Sequence, residues 1–277
     1  MVGRMAVIGT PIVHMPIERQ TGAQSAGRAW MAAVVQSGRH EGYDFFVPTV
    51  DAVRLRQALS GDAAFGRAGV RIRPLGELAE AASREHYCGI HDIRFSHHLS
   101  RIRSLLQTSE AGSRTPVSVS QYGMNYPDGL SGVVWTAIAG AHPWDAIVCL
   151  STASLKMHQS MIESVRCELP PAVRAGLPVP SLVRIPFGVD VEAFRPPTSP
   201  DERGRIRAKW RLPRHKVVVL QVARLNPYDK LDWSVCLRLG SILQRLDAVF
   251  VLAGAASPQQ ATTLSKSIRD AGWERAG

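Results

Sequence analysis

The sequence predicts an α/β protein whose parallel sheet is built from strands that alternate with helices. Two observations favour this class. Short apolar runs alternate with helical stretches along the chain, and the run at 217–222 is apolar almost throughout, as in strands buried on both faces of a parallel sheet. At 277 residues, with 45% apolar and 20% charged residues, the chain has the size and composition of a globular protein with two domains.

The first domain is expected to span residues 1–183. Its strand candidates are the runs at 5–8, 43–48, 70–72, 87–90, 117–119 and 146–150. A polar loop at 18–25 leads from the first strand into a helical stretch at 26–36, whose Trp30 and Met31 are predicted to face inward. Helices between successive strands predict right-handed βαβ units and one parallel sheet.

A turn-rich connector is predicted at 184–200. Pro186 fixes one backbone angle, Gly188 permits a positive φ, and Phe194 is an apolar residue close to Pro196 and Pro197. The second domain is expected to cover 201–277.

The second domain is predicted to contain three helices and two strands. The helices are placed at 201–211, 231–246 and 258–271, and the strands at 217–222 and 248–252. These elements make about half of a doubly wound nucleotide-binding domain. The second domain is therefore expected to be incomplete.

Two segments carry the strongest functional signal. The first reads Ile-Pro-Phe-Gly-Val-Asp-Val-Glu-Ala-Phe-Arg-Pro at 185–196, and the second reads Val-Val-Val-Leu-Gln-Val-Ala-Arg-Leu-Asn-Pro-Tyr-Asp-Lys at 217–230. Arg224 and Lys230 follow the carboxyl end of a predicted strand, where open α/β sheets bind ligands. They also precede a helical stretch, whose amino terminus favours negative charge. A diphosphate would fit at this position.

These segments resemble the interdomain connector and the first strand of the second domain in retaining glycosyltransferases of family 4. That family shows Ile-Pro-Asn-Gly-Val-Asp, then Phe and Pro, then an apolar strand that ends in Gly-Arg with a Lys shortly after. Phe187 stands here in the Asn place, and Ala223 stands in the Gly place. The resemblance implies two Rossmann-like domains of the GT-B type, the first on the acceptor side and the second binding the nucleotide sugar.

The resemblance also implies roles for particular residues. Arg224 and Lys230 would hold the donor diphosphate, while Gly188 and Asp190 would belong to the connector. The reaction would transfer a sugar from a nucleotide-sugar donor to an acceptor with retention, as in a hexosyltransferase. It would need no cofactor and no metal.

An inactive relative is the alternative expectation. Family members carry a Glu-x7-Glu segment further along, and this sequence ends before such a segment. The alternative is a truncated, catalytically inactive relative that acts as a fragment or as a binding or partner subunit. The predicted strand at 247–252 lacks a later strand beside it, so a homo-oligomer or a partner that covers the sheet edge is expected.

The first domain offers weaker site candidates. In the resembling family, the loop after the first strand approaches the donor phosphates or the acceptor, which points to Gly22 and Gln24; a tight turn explains Gly22 as well. Gln121 and Tyr122 follow the predicted strand at 117–119 and could contact the acceptor, or could belong to a loop packed on its own sheet. Ser151 matches a family pattern but is also a good helix cap.

The charge is unevenly distributed. The net charge is +10, and residues 184–230 hold eleven basic and five acidic residues, a net of +6. Such a segment attracts anionic ligands, although a general preference for Arg explains it equally well. A nucleic-acid partner is not predicted, because the basic residues are not regularly interleaved with aromatic ones.

Several other classes of site are not favoured. The Rossmann dinucleotide fingerprint, the P-loop and the zincin motif are absent from the sequence. The histidines at 86, 91, 97 and 98 have spacings that do not suit a common metal site, so strand-end and surface histidines are expected. The four cysteines lie far apart and are interpreted as reduced core thiols.

The sequence predicts neither a membrane span nor a signal peptide. The longest mainly apolar stretch, 132–150, is interrupted by His142, Pro143 and Asp145. The amino terminus has a short strand followed by Pro11 and lacks a charged region before a long apolar one. A cytoplasmic protein is the expectation.

Overall fold

The computed structural model describes residues 3–9, 22–60, 69–94, 98–121, 127–139, 141–223, 225, 238–254 and 256–271. The chain divides into two compact units, Met1–Gly188 and Val189–Gly277. The division falls within the predicted connector at 184–200. Tyr122, Arg224 and Lys230 lie outside the described residues.

The first unit contains a seven-stranded parallel sheet. Its strands are β1 (Arg4–Ile8), β2 (Tyr43–Val47), β3 (Val70–Pro74), β4 (Tyr87–Asp92), β5 (Val117–Gln121), β6 (Ala146–Cys149) and β7 (Ser181–Arg184). Their order is β3-β2-β1-β4-β5-β6-β7, and every neighbouring pair is parallel. The predicted parallel α/β sheet is confirmed, and the order is that of a Rossmann-like domain with an added edge strand. The sequence analysis missed β7.

Helices connect these strands. They are α1 (Gly22–Ser37), α2 (Thr49–Ser60), α3 (Leu78–Arg84), α4 (Leu99–Leu106), α5 (Glu110–Arg114), α6 (Pro127–Ile138), α7 (Thr152–Cys167) and α8 (Pro171–Gly176). Ser151 caps α7 because its side chain accepts a hydrogen bond from the Ser154 amide at 3.0 Å. The capping interpretation of Ser151 is thus correct.

The central strands of the sheet are buried on both faces, as is usual for parallel sheets, whereas the edge strands β3 and β7 are more exposed. One face packs Ile8, Ile90 and Val119 into a core shared with helices α3, α4, α6 and α7. The other face packs Val7 and Phe45 against α1 and α2. Ile8 and Val7 enter opposite cores because successive strand residues point to opposite faces.

A buried ion pair joins α4 to the start of β6. Arg103 and Asp145 are both nearly inaccessible to solvent, and the Arg103 Nε donates to Asp145 Oδ2 at 3.0 Å. Arg103 also donates to the carbonyl oxygens of Ser113 and Thr115, each at 2.9 Å. Asp145 Oδ1 accepts the Val117 amide at 2.9 Å. The pair therefore holds together the amino-terminal ends of β5 and β6.

The second unit contains two parallel strands and three described helices. In chain order these are α9 (Pro200–Lys209), β8 (Val217–Val222), α10 (Gly240–Arg245), β9 (Ala248–Ala253) and α11 (Pro258–Asp270). Strand β8 has its predicted bounds. Residues 231–237 of the predicted helix at 231–246 lie outside the described part of the chain.

Strand β8 is unusually accessible for an apolar strand. Within the described residues it pairs with β9 alone, and Val217, Leu220 and Val222 are 61%, 58% and 69% exposed. A small core forms on the side of β9, where Phe250 and Leu252 pack with Leu264 of α11. Among the described helices of the protein, none is both long and apolar enough to cross a membrane.

A second charged cluster surrounds Asp44 in the amino-terminal half of β2. Asp44 is fully buried and accepts hydrogen bonds from Arg71 Nε at 2.8 Å, Tyr87 Oη at 2.7 Å and Arg4 Nε at 3.0 Å. Burial alone would raise the pKa of the Asp44 carboxyl. The hydrogen bonds from Arg71, Tyr87 and Arg4 outweigh burial, so the pKa lies below its ordinary value of 3.8.

The depressed pKa of Asp44 predicts a particular loss of stability in acid. The unfolded chain binds this proton near pH 3.8 and the folded chain only at lower pH, so the free energy of unfolding decreases as the pH falls below about 4. We expect Asp44→Asn to be less stable than the native chain at pH 7. This difference should shrink on acidification, as measured by urea unfolding from pH 7 to pH 3; a constant difference would contradict the assigned role of Asp44.

Candidate functional site

The strand order reverses between β1 and β4. Strand β1 has β2 on one side and β4 on the other, and the chain continues outward in opposite directions from these two strands. In open α/β sheets, ligands bind outside the carboxyl ends of the strands at such a point. The candidate site is therefore the carboxyl edge of the sheet around β1, β4 and β5.

Gly9 allows a close approach at this edge. It follows β1 directly and has a φ of 144°, a conformation that favours glycine. A Cβ atom at this position would lie 2.5 Å from Ile93 Cγ1 and 3.3 Å from Arg94 Cγ. The chain can therefore bring the end of β1 against the residues after β4 because position 9 carries no side chain.

Arg94 places a cationic side chain at this edge. Its Nε donates to Asp92 Oδ1 at 3.0 Å and its Nη2 to Asp92 Oδ2 at 2.7 Å, while the Asp92 carboxylate is fully buried. Asp92 Oδ1 also accepts the Arg94 amide at 2.9 Å. The guanidinium side chain remains 33% exposed. Asp92 thus fixes one edge of the guanidinium and leaves Arg94 partly open to solvent.

Gln121 carries a buried side-chain amide without a hydrogen-bond partner among the described residues. It is the last residue of β5, is 2% exposed, and pairs in register with Cys149 of β6. Neither its Oε1 nor its Nε2 has a hydrogen-bond partner within the described part of the chain. Leaving such groups unpaired costs about 1–3 kcal/mol each. A polar ligand or a water molecule at this edge would satisfy them.

His91 is a neutral structural histidine. Its Nδ1 lies 2.7 Å from Ser118 Oγ, its Nε2 lies 3.0 Å from Ser120 Oγ, and its ring stacks on Trp30 at 4.6 Å. Burial lowers its pKa to about 4, although the nearby Asp92 acts in the opposite direction. Both ring nitrogens are engaged, which leaves neither available to a metal.

Cys149 and His158 do not form an activated nucleophile. The Cys149 Sγ is 3.9 Å from His158 Nδ1, but the same nitrogen lies 2.7 Å from the Ser154 carbonyl oxygen, to which it must donate. Burial raises the pKa of the Cys149 thiol and lowers the pKa of His158. Both groups are therefore neutral. No group of three His, Cys, Asp or Glu side chains could hold a metal among the described residues.

The predicted site residues fall in several places. Gly22 and Gln24 were predicted in a loop, but α1 begins at Gly22 and includes both; Ala23 and Gln24 are good helix formers, which extends the helix beyond its predicted start. Gln121 was predicted in a loop and instead ends β5, because it pairs with β6. Tyr122, whose predicted acceptor contact accompanies that of Gln121, lies outside the described residues.

The connector residues have local structural roles. Asp190 Oδ1 accepts the amides of Glu192 at 3.1 Å and Ala193 at 3.0 Å, which forms a turn. Gly188, where glycine would permit a positive φ, does not adopt one. A Cβ at Gly188 would meet no atom within 4 Å, so neither backbone conformation nor space requires glycine there.

The end of β8 approaches β9 closely. The Ala223 amide donates to the Ala253 carbonyl at 3.0 Å, and a Cβ at Gly254 would lie 1.6 Å from the Ala223 carbonyl oxygen. Glycine is therefore required at position 254 rather than at 223. The proposed phosphate-binding residues Arg224 and Lys230 lie beyond the described end of this strand.

No family model matches this sequence, and no curated protein matches it either. Sequence reasoning missed Gly9, Asp92 and Arg94. These residues could have been found from their positions, since Gly9 follows the first predicted strand and Asp92 and Arg94 follow the strand at 87–90. The carboxyl ends of parallel strands meet at one edge of a sheet.

The unpartnered amide predicts an unusual response to mutation. Gln121→Met keeps the length of the side chain and removes two unsatisfied polar atoms, so we expect unchanged or higher thermal stability. Ser120→Ala is the matched control, because it removes a hydroxyl bonded to His91 and should destabilise by about 1 kcal/mol. Thermal unfolding followed by circular dichroism compares the two variants. Clear destabilisation by Gln121→Met would mean that the amide is paired in the protein.

Proposed function

We propose that this chain is a glycosyltransferase of the GT-B type that takes a nucleotide-sugar donor and acts with retention. The main support for this proposal is the presence of two cations in the segment that follows β8 in the sequence. Strand β8 ends at Val222, and the sequence then places Arg224 and Lys230 in the stretch where the resembling family holds a diphosphate. Two cations at the carboxyl end of a parallel strand suit that role.

The chemistry explains why two cations belong there. When the bond between the anomeric carbon and the diphosphate oxygen breaks, the diphosphate leaves with the bonding electrons and gains negative charge. Arg224 and Lys230 would stabilise that charge as it develops, which is the task a divalent metal performs in other transferases. The acceptor hydroxyl would form the new bond on the same face of the sugar and give up its proton to the oxygen of the departing diphosphate.

The order of elements along the chain supports this assignment. The second unit runs α9, β8, α10, β9 and α11, and its two strands are parallel. This alternation is that of a nucleotide-binding α/β domain. The segment that resembles the family's interdomain connector, 185–196, precedes α9 in the sequence.

The first unit supplies groups suited to an acceptor. The Gln121 amide can donate through Nε2 and accept through Oε1, and neither atom has a partner in the described structure. Hydroxyl groups of a sugar or polyol offer matching hydrogen bonds. Arg94, which Asp92 holds in place, presents a partly exposed guanidinium group at the same edge of the sheet. Gly22, Gln24 and Tyr122 remain proposed neighbours of this site.

Donor binding can be tested by calorimetric titration of the full chain with UDP, GDP and ADP. We expect one of these nucleotides to bind saturably. Charge-assisted contacts to phosphate contribute about 1.5–3 kcal/mol each, so Arg224→Ala and Lys230→Ala should each weaken binding by about tenfold or more.

Lys266→Ala is the control for that titration. Lys266 is an exposed cation on α11, so its removal changes the net charge equally but should leave the affinity almost unchanged. Absence of nucleotide binding by the folded native chain would contradict the proposal. An equal loss of affinity in Lys266→Ala would show that net charge, and not direct contact from Arg224 and Lys230, determines nucleotide binding.

A second candidate is a catalytically inactive relative that works as a binding or partner subunit. The exposure of Val217, Leu220 and Val222 on β8 favours it, because an accessible apolar strand promotes association with another chain.

This second candidate predicts self-association of the purified chain. We expect a dimer or larger species by light scattering and a shift toward monomer in Leu220→Glu, whose charge opposes burial. The control is Val53→Glu, at an apolar position of similar exposure on α2. A native chain that stays monomeric at high concentration would remove the support for this candidate.

A further inference from the structure

Residues 203–216 form the most basic exposed segment of the described structure. This segment contains no Asp or Glu, and its cations are Arg203, Arg205, Arg207, Lys209, Arg211, Arg214 and Lys216. Two of them have structural partners. Arg207 donates to the carbonyl oxygens of Pro213 and Lys216, and Lys216 pairs with Asp247 at 2.8 Å. The other cations of this segment, such as Arg203 and Arg205, are therefore available for contact with an external partner.

Helix α9 and Trp210, which directly follows it, combine charge with apolar surface. Ile206 and Trp210 lie four residues apart and are 43% and 66% exposed. Arg205 and Lys209 also lie four residues apart and are exposed. Residues at this spacing neighbour each other on a helix, so the two pairs form adjacent stripes. The Lys209 ammonium lies 5.5 Å from the centre of the Trp210 ring.

We define the α9 face as Arg203, Arg205, Ile206, Lys209 and Trp210. No residue of α9 is buried, so the α9 face is not explained by packing within the described part of the second unit. Its two apolar side chains lie beside cations that form no ion pair among the described residues. An exposed Trp beside exposed cations is a combination that favours contact with an anionic lipid–water interface.

We propose that the α9 face docks this protein on the surface of an anionic lipid bilayer. Trp210 and Ile206 would enter the headgroup region, where an aromatic ring with a polar N–H is favoured. Arg203, Arg205 and Lys209 would contact the lipid phosphates. Charge complementarity selects an anionic surface, and the apolar Ile206 beside Trp210 favours a bilayer over a nucleic acid, which would offer it no apolar phase.

The experiment is flotation of the full chain with two kinds of vesicle. One contains phosphatidylcholine alone, and the other contains roughly 30 mol% phosphatidylglycerol, which supplies the negative surface. We expect binding to the second kind, little binding to the first, and weaker binding at high salt because salt screens the attraction. Absence of binding by the folded native chain to the anionic vesicles would overturn the proposal.

Two sets of variants locate the surface. The double variant Arg205→Gln/Lys209→Gln should weaken binding to anionic vesicles by roughly tenfold or more. The double variant Arg54→Gln/Arg101→Gln removes the same charge from exposed positions of the first unit and should leave binding nearly unchanged. Equal losses in both would show that net charge, and not the α9 face, is responsible.

The apolar contribution has its own test. Trp210→Ala should weaken vesicle binding several-fold while the salt dependence persists, because the cations remain. Single-stranded poly(dT) provides the competing outcome. If poly(dT) displaces the protein from vesicles and loses affinity in the same α9 variants, including Trp210→Ala, the α9 face is a nucleic-acid surface and the proposal fails.

Discussion

The ion pair between Arg103 and Asp145 fixes the frame on which the first unit is built. Two charges removed from water are tolerated when hydrogen bonds satisfy them, and here the pair engages the Thr115 carbonyl and the Val117 amide. The amino ends of β5 and β6 are thereby tied together. Because a parallel pair keeps its register along its length, the same tie places Gln121 beside Cys149 at the carboxyl edge.

Most buried polar side chains of the first unit differ in hydrogen bonding from the Gln121 amide at the carboxyl edge of its sheet. The buried carboxylates of Asp44, Asp92 and Asp145 all accept hydrogen bonds from neighbouring side chains or amides. The Gln121 amide has no such partner among the described residues. Buried polar groups that lack partners are expected mainly at functional sites. Gln121 lies at the carboxyl edge of the sheet, where a doubly wound fold binds its ligands.

Arginine side chains serve two different purposes in this protein. In the first unit, Arg71 and Arg103 are committed to internal carboxylates. In the second unit, Arg203 and Arg205 are exposed and form no ion pair among the described residues. The excess charge is therefore concentrated where external anions can reach it. Both proposed ligands of this unit, a nucleotide diphosphate and a lipid surface, are anions, and the field of the segment would attract either.

The sequence by itself determined the alternation of strands and helices, since these depend on local periodicity. Strand β8 has its predicted bounds and Ser151 its predicted capping role. The sequence missed β7, whose four residues carry too little pattern, and placed Gln121 in a loop. Only the tertiary structure brought Gly9 against Arg94 and left the Gln121 amide without a described partner. Such contacts join strands that are distant in the chain, and local patterns do not specify which side chains will meet.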